Sequence, residues 1–260
     1  LLAMLALVSA VRVWQADPNT PLPTEPAYPL SIGLPTDSKL TSAELAKRAN
    51  ECLGTATPAA QRTPQQAQKL KTIVDVLKMP ERSVLSHLNW GTFALRDVVS
   101  KNGGAAPLGN AKVQYVGSSD DAQLNARIPR FQPDPKAAAM FFADVDHHGR
   151  FSVPVISSHA INDSTVFVEG QAALRQKMVA AGTADRLVQT YVDSSEHSYW
   201  GDAHYPPLFN ALLDWVVKGQ KPTAEGIDQR CKQLNPTQAK DCRFLPNYEV
   251  KPIASRIYPR

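Results

Sequence analysis

Through the first half of the chain, apolar side chains recur every three or four positions. Past residue 150 they gather into β-branched clusters separated by longer periodic stretches. The first texture belongs to amphipathic helices and the second to strands alternating with helices. Thr41-Ser42-Ala43-Glu44 is a capping box, with a hydroxyl at the cap and a carboxylate three residues on, and it opens a short helix reaching Cys52. Thr63-Pro64-Gln65-Gln66 repeats the device with Pro at the first helical position. The stripe behind it, Ala67, Leu70, Ile73, Val74 and Leu77, is closed by Pro80. Another helix is predicted from about Glu81, with Leu85, Leu88, Leu95, Val98 and Val99 inward, ending at Asn102-Gly103-Gly104. Residues 113–116 read as a short extended piece and 135–142 as a helix.

Then the period changes. Phe151-Ser152-Val153-Pro154-Val155-Ile156-Ser157-Ser158 predicts a strand, and residues 169–181 a helix ending at Gly182. Residues 187–192 predict a second strand, and 205–218 an amphipathic helix stopped by Gly219. Strand, helix, strand, helix at this spacing predicts a parallel α/β unit buried on both faces. Beyond Pro222 the pattern returns to irregular structure. The expected organisation is a mainly helical region over 1–145, an α/β region over 146–225 and an irregular tail over 226–260.

The first residues form an apolar run, Leu1 to Val11, open to two readings. A leader peptide's apolar stretch followed by Val8-Ser9-Ala10 has this look. The spacing of Leu2, Leu5, Val8, Val11 and Val13 runs past that point and favours a buried helix in a sequence that continues upstream. From Ala16 to Leu40 the chain is rich in proline and reads as a linker or ordered excursion. No window holds eighteen unbroken apolar residues, so no membrane-spanning helix is expected.

Composition narrows the picture a little. The 260 residues are 43% apolar and 20% charged, which excludes a wholly disordered or collagen-like chain. The 28 basic and 24 acidic residues leave a net charge of +4. They are scattered without a Lys/Arg run, so no nucleic-acid partner is expected. Of the three cysteines, Cys231 and Cys242 enclose a short polar loop with little core of its own, where a disulfide staple would add most. The alternative is two unrelated free thiols. Cys52 is left over, and its partner would be a cysteine outside these residues. No CxxC or Cys/His cluster suggests a metal site.

The candidate chemistry lies on two loops. In open parallel sheets functional groups sit past the carboxyl ends of the strands. Asp163 follows the first predicted strand and His197 the second, and neighbouring parallel strands are ~4.8 Å apart. A carboxylate there sets the tautomer of an imidazole and stabilises the imidazolium it becomes on taking a proton from a nucleophile. Other residues have plainer readings. His204 stands before Tyr205-Pro206-Pro207, at the start of a helix, and His147-His148 precedes Gly149 as a surface turn. His159 is expected to pack or hydrogen-bond beside the acid loop, and His87 to sit satisfied within a helix. Trp90 and Phe93, three apart, read as core. Trp200, close after His197, reads either as lining a substrate pocket or as packing.

Pro154-Val155-Ile156-Ser157-Ser158-His159-Ala160-Ile161-Asn162-Asp163 resembles the penultimate core strand and acid loop of the α/β-hydrolase fold, and residues 193–197 resemble its final strand-to-histidine loop. Leu212-Leu213-Asp214-Trp215-Val216-Val217-Lys218-Gly219-Gln220-Lys221-Pro222-Thr223 is similar to the last helix of secreted bacterial members, and the helical first half resembles their cap. Ala160 and Glu196 stand where members commonly carry Gly. The resemblance implies a partial α/β-hydrolase fold with Asp163 as triad acid and His197 as triad base. It further implies a secreted or periplasmic serine hydrolase acting on a small-molecule or peptide ester or amide, without metal or organic cofactor. No G-x-S-x-G elbow occurs in the 260 residues. Ser157 and Ser158, on a strand before the acid, lack its strand–turn–helix setting. The nucleophile is therefore expected upstream, and these residues alone are expected to be inactive. Two other readings remain at this point: a secreted, non-catalytic binding protein, and a subunit completed by another chain that carries the nucleophile.

Overall fold

A computed structural model describes residues 34, 37–128, 130–237 and 239–253. The apolar run at the start and most of the proline-rich stretch after it lie outside the described residues. The chain is a mixture of helix and sheet whose residues gather into two compact units, dividing between Asp146 and His147.

The first unit is helical. Helix α1 (Ser42–Leu53) begins at Thr41, whose hydroxyl accepts from the Glu44 N–H at 3.1 Å. The Glu44 carboxylate turns to Arg48 on the next turn. Helix α2 (Pro64–Leu77) has the full capping box. Thr63 Oγ1 accepts from Gln66 N–H at 3.2 Å, and Gln66 Oε1 accepts from Thr63 N–H at 3.0 Å. Helix α3 (Val84–Lys101) ends where Gly103 takes a positive φ of 67°. Leu45, Ala49 and Leu53 of α1 meet Leu70, Ile73 and Val76 of α2 and Val84, Leu88, Leu95 and Val99 of α3 in one core. Two expectations are corrected. Ala67 is exposed, and the inward stripe of α2 runs instead through Thr72 and Val76. Trp90 is 55% exposed on α3 and is not core, whereas Phe93, half-buried with the Arg96 guanidinium over its ring, packs against the core.

Residues 113–116 are extended but join no sheet. The Asn125 side-chain amide substitutes for a partner strand, accepting from Tyr115 N–H at 2.9 Å and donating to Tyr115 O at 2.5 Å. Asn125 belongs to the short helix α4 (Asp121–Arg127), and helix α5 (Pro135–Val145) follows behind the Asp134 cap.

The second unit carries the sheet. Strand β1 (Val155–Ala160) pairs in parallel with β2 (Leu187–Val192), in a register running from Val155 opposite Leu187 to Ala160 opposite Val192. Helix α6 (Gly170–Ala180) connects them. The predicted first strand is displaced: residues 151–154 are irregular and regular pairing begins after Pro154, which has no N–H to give a ladder. All six residues of β2 are buried, whereas only the last two of β1 are. Burial on both faces therefore holds for β2 alone.

Helix α7 (Tyr205–Lys218) stops at Gly219, whose φ is 70°. The tail expected to be irregular contains a further helix, α8 (Ala224–Leu234), capped by Thr223 Oγ1 accepting from Gly226 N–H at 3.0 Å. Ile227 and Cys231, four apart, put one narrow apolar edge of α8 into the core with Val188, Val192, Ala211 and Phe244. Its remaining positions are mostly polar, and Leu234 is exposed, which hides the helix from a periodicity reading. Cys231 is joined to Cys242 by a disulfide with the Cα atoms 5.9 Å apart. After it, residues 243–245 run antiparallel to the end of β2, with Val192 bridged to Phe244 and Leu245 N–H donating to Tyr191 O at 2.8 Å.

Candidate active site

Two loops leave the carboxyl ends of β1 and β2 side by side, and the backbone keeps them together. Beyond the last paired residues Ile161 N–H donates to Val192 O and Asn162 N–H to Ser194 O, both at 3.0 Å. The ladder thus extends into the loops before either chain turns away.

Asp163 follows at once and is 3% exposed. Such burial of a carboxylate is tolerated only when its oxygens are well supplied with donors. Oδ1 accepts from Thr165 N–H at 2.7 Å and from Val166 N–H at 3.1 Å, an Asx-type turn that locks the side chain. Oδ2 faces His197 Nδ1 at 2.8 Å. An ionised carboxylate only accepts, so Nδ1 carries the proton and donates, and the lone pair of the neutral ring lies on Nε2. The His197 side chain is 47% exposed, and among the described residues nothing donates to Nε2. One imidazole nitrogen is anchored to a buried acid and the other is open to accept a proton.

The carbonyls on either side of His197 are both held. Trp200 Nε1–H donates to Glu196 O at 3.0 Å, and Tyr205 Oη–H donates to Ser198 O at 3.1 Å. The two rings stack with centroids 6.0 Å apart and planes 6° from parallel. Ser194, buried at the loop's start, accepts on Oγ from Glu196 N–H at 3.1 Å. Trp200 stands out in the sequence by its closeness to His197, whereas Tyr205 does not. Its position at the first turn of α7, eight residues after His197, was the available hint.

Of the remaining histidines, His204 is fully buried. Its Nε2 accepts from Arg243 N–H at 3.2 Å, which puts the proton on Nδ1, 3.4 Å from Gly201 O. Its ring stands edge-on to Phe244, and burial pushes its pKa below the ordinary 6.5. Neither nitrogen is available to a substrate. His159 is buried beside the acid loop and donates from Nδ1 to Ala160 O at 2.9 Å. His87 lies 2.7 Å from Ser83 O within α3. His148 Nδ1 accepts from Arg150 N–H at 2.9 Å across the turn at Gly149. Among the described residues no three His, Cys, Asp or Glu side chains are grouped to hold a metal ion.

Ser157 donates to the Gln171 side chain, and Ser158 Oγ is buried without a partner among the described residues. Both lie within β1 and not at a strand–helix turn. Cys52 is a free thiol, half-buried, with Lys69 Nζ 3.9 Å from its sulfur. No protein family model matches the chain, and neither a curated protein nor a solved structure matches it.

Proposed function

We propose that Asp163 and His197 are the acid and base of a serine-type hydrolase that cleaves an ester or amide by acyl transfer. The observation that carries this reading is the 2.8 Å contact between a buried carboxylate and an imidazole whose far nitrogen is open. In this reading β1 and β2 are the last two strands of an α/β-hydrolase core, and the helical first unit is the cap. His197 Nε2 takes the proton of a hydroxyl as its oxygen attacks the substrate carbonyl carbon. The imidazolium so formed is stabilised by the Asp163 charge, then returns the proton to the departing alkoxide or amine. Water repeats the sequence on the acyl intermediate and releases the acid. Asp163 holds the ring without itself taking the proton.

Among the described residues no serine, threonine or cysteine donates to His197. The reading therefore requires a hydroxyl brought by another segment or another chain. No cofactor enters these steps. The Cys231–Cys242 disulfide favours an oxidising compartment, secreted or periplasmic.

The protein expressed from its own gene, treated with a fluorophosphonate probe, tests the proposal. One serine is expected to become labelled, with labelling at least ~100-fold slower in His197→Ala and strongly slowed in Asp163→Asn. Absence of any labelled serine, or labelling indifferent to His197, overturns it.

A further inference from the structure

Between Asp193 and His204, apolar anchorage comes only at the far end, from Trp200 and Ala203, and the part that carries His197 has none of its own. Residues 195–199 are all exposed. Their conformation therefore rests on hydrogen bonds, and at both ends of the loop these bonds converge on one residue of the tail. At the start, Asp193 N–H donates to Arg243 O at 2.9 Å. At the far end, Arg243 N–H donates to His204 Nε2 at 3.2 Å and Arg243 Nη2 donates to Trp200 O at 2.9 Å. Trp200 passes the restraint on, since its indole N–H holds the carbonyl of Glu196, directly before His197.

The root of this clamp is itself fixed. Arg243 lies between Cys242, bonded to the fully buried Cys231 of α8, and Phe244, bridged to Val192 of β2. A guanidinium-to-carbonyl bond is charge-assisted and about twice as strong as a neutral one. Its donor is planar and held on a backbone that cannot drift, so little of its gain is lost to ordering.

We propose that Arg243 is a positioning residue for the Asp163–His197 pair: its guanidinium, reaching from the disulfide-anchored tail to Trp200, holds the loop that presents the imidazole to the acid. The proposal rests on reading that pair as the proton-transfer centre. Arg243 makes no hydrogen bond to His197, and its guanidinium acts only through Trp200.

The test reads the proton shared by His197 Nδ1 and Asp163 Oδ2, which gives a far-downfield resonance whose exchange with water reports how steadily the pair is held. Arg243 is exposed, so removing its side chain opens no cavity and leaves the fold intact. In Arg243→Met, which keeps the apolar stem and loses the donor, exchange of this proton is expected to quicken by about tenfold, the factor for one lost charge-assisted hydrogen bond. Arg243→Lys, which restores a donor, is expected to return most of the protection, and the unfolding midpoint is expected to change little in either variant. A wild-type exchange rate in Arg243→Met overturns the positioning role while leaving the pair intact. Absence in the unaltered protein of any downfield resonance that Asp163→Ala removes overturns the reading of the pair itself.

Discussion

The indole N–H of Trp200 donates to the carbonyl of Glu196 at 3.0 Å, so the residue three after His197 is tied to the residue just before it. This closes the histidine loop on itself. One face of the indole stacks on Tyr205, and the ring also packs against the apolar cluster around Val192 and Phe244. Of the two sequence readings of Trp200, loop packing has contacts to support it.

Trp200→Phe keeps an aromatic ring for Tyr205 but leaves the Glu196 carbonyl without its donor. It is expected to cost about 1 kcal/mol, and Trp200→Ala roughly 2–3 kcal/mol, because the ring is only half-buried. Urea midpoints measure both. A wild-type midpoint in Trp200→Phe would show that the hydrogen bond contributes nothing, and equal costs for the two variants that the ring adds nothing beyond it.

His204 makes stability depend on acid. Burial keeps its folded-state pKa below 6.5. As pH falls past 6.5, the unfolded chain takes up a proton that the folded chain refuses, and stability declines until the folded-state pKa is passed. His204→Gln, whose side-chain oxygen can still accept from Arg243 N–H, is expected to flatten this decline in urea melts from neutral to mildly acidic pH. An unchanged slope contradicts the assignment.

Tyr191 works at the other end of the scale. Burial pushes its phenol up to about 12 from an ordinary 10.0, against a small opposing effect of Arg175. Between those values the unfolded chain loses a proton that the folded chain keeps, so stability falls as pH rises through this window. Tyr191→Phe is expected to reduce the alkaline loss. The phenolate absorbance of the native protein supplies a direct check, since one tyrosine should titrate only near the upper value.

Replacing Cys231 and Cys242 together by alanine is expected to lower stability by about 3 kcal/mol, the closure entropy of so short a loop. Differential scanning calorimetry of the oxidised protein and the variant measures this. A loss below about 1 kcal/mol would mean that the bridge constrains little beyond what α8 and the bridge from Phe244 to Val192 already fix.

Much of the secondary structure was legible because its determinants are local. Thr63 and Gln66 cap α2, Gly219 takes the left-handed turn ending α7, and β2 is rich in β-branched and aromatic residues between Arg186 and Asp193. These choices follow from neighbours a few positions away. Helix α8 was not legible, because only Ile227 and Cys231 of its apolar positions enter the core and its composition otherwise resembles a loop. Trp90 was misplaced for the converse reason: spacing says which residues share a helix face but not how far the neighbouring helices cover it.

The chain itself determined that an acid would follow one strand and a histidine the next, since residue order alone places them there. Only the tertiary structure decided that they meet. The contact depends on the parallel register that sets Ala160 opposite Val192, on the two backbone bonds that prolong it, and on Thr165 and Val166 turning the Asp163 carboxylate toward His197. It also decided that Tyr205 and Arg243, eight and forty-six positions past the histidine, hold its loop in place. Hydrogen bonds across such separations leave no periodicity in the sequence, because the partners become neighbours only after strands and helices have packed.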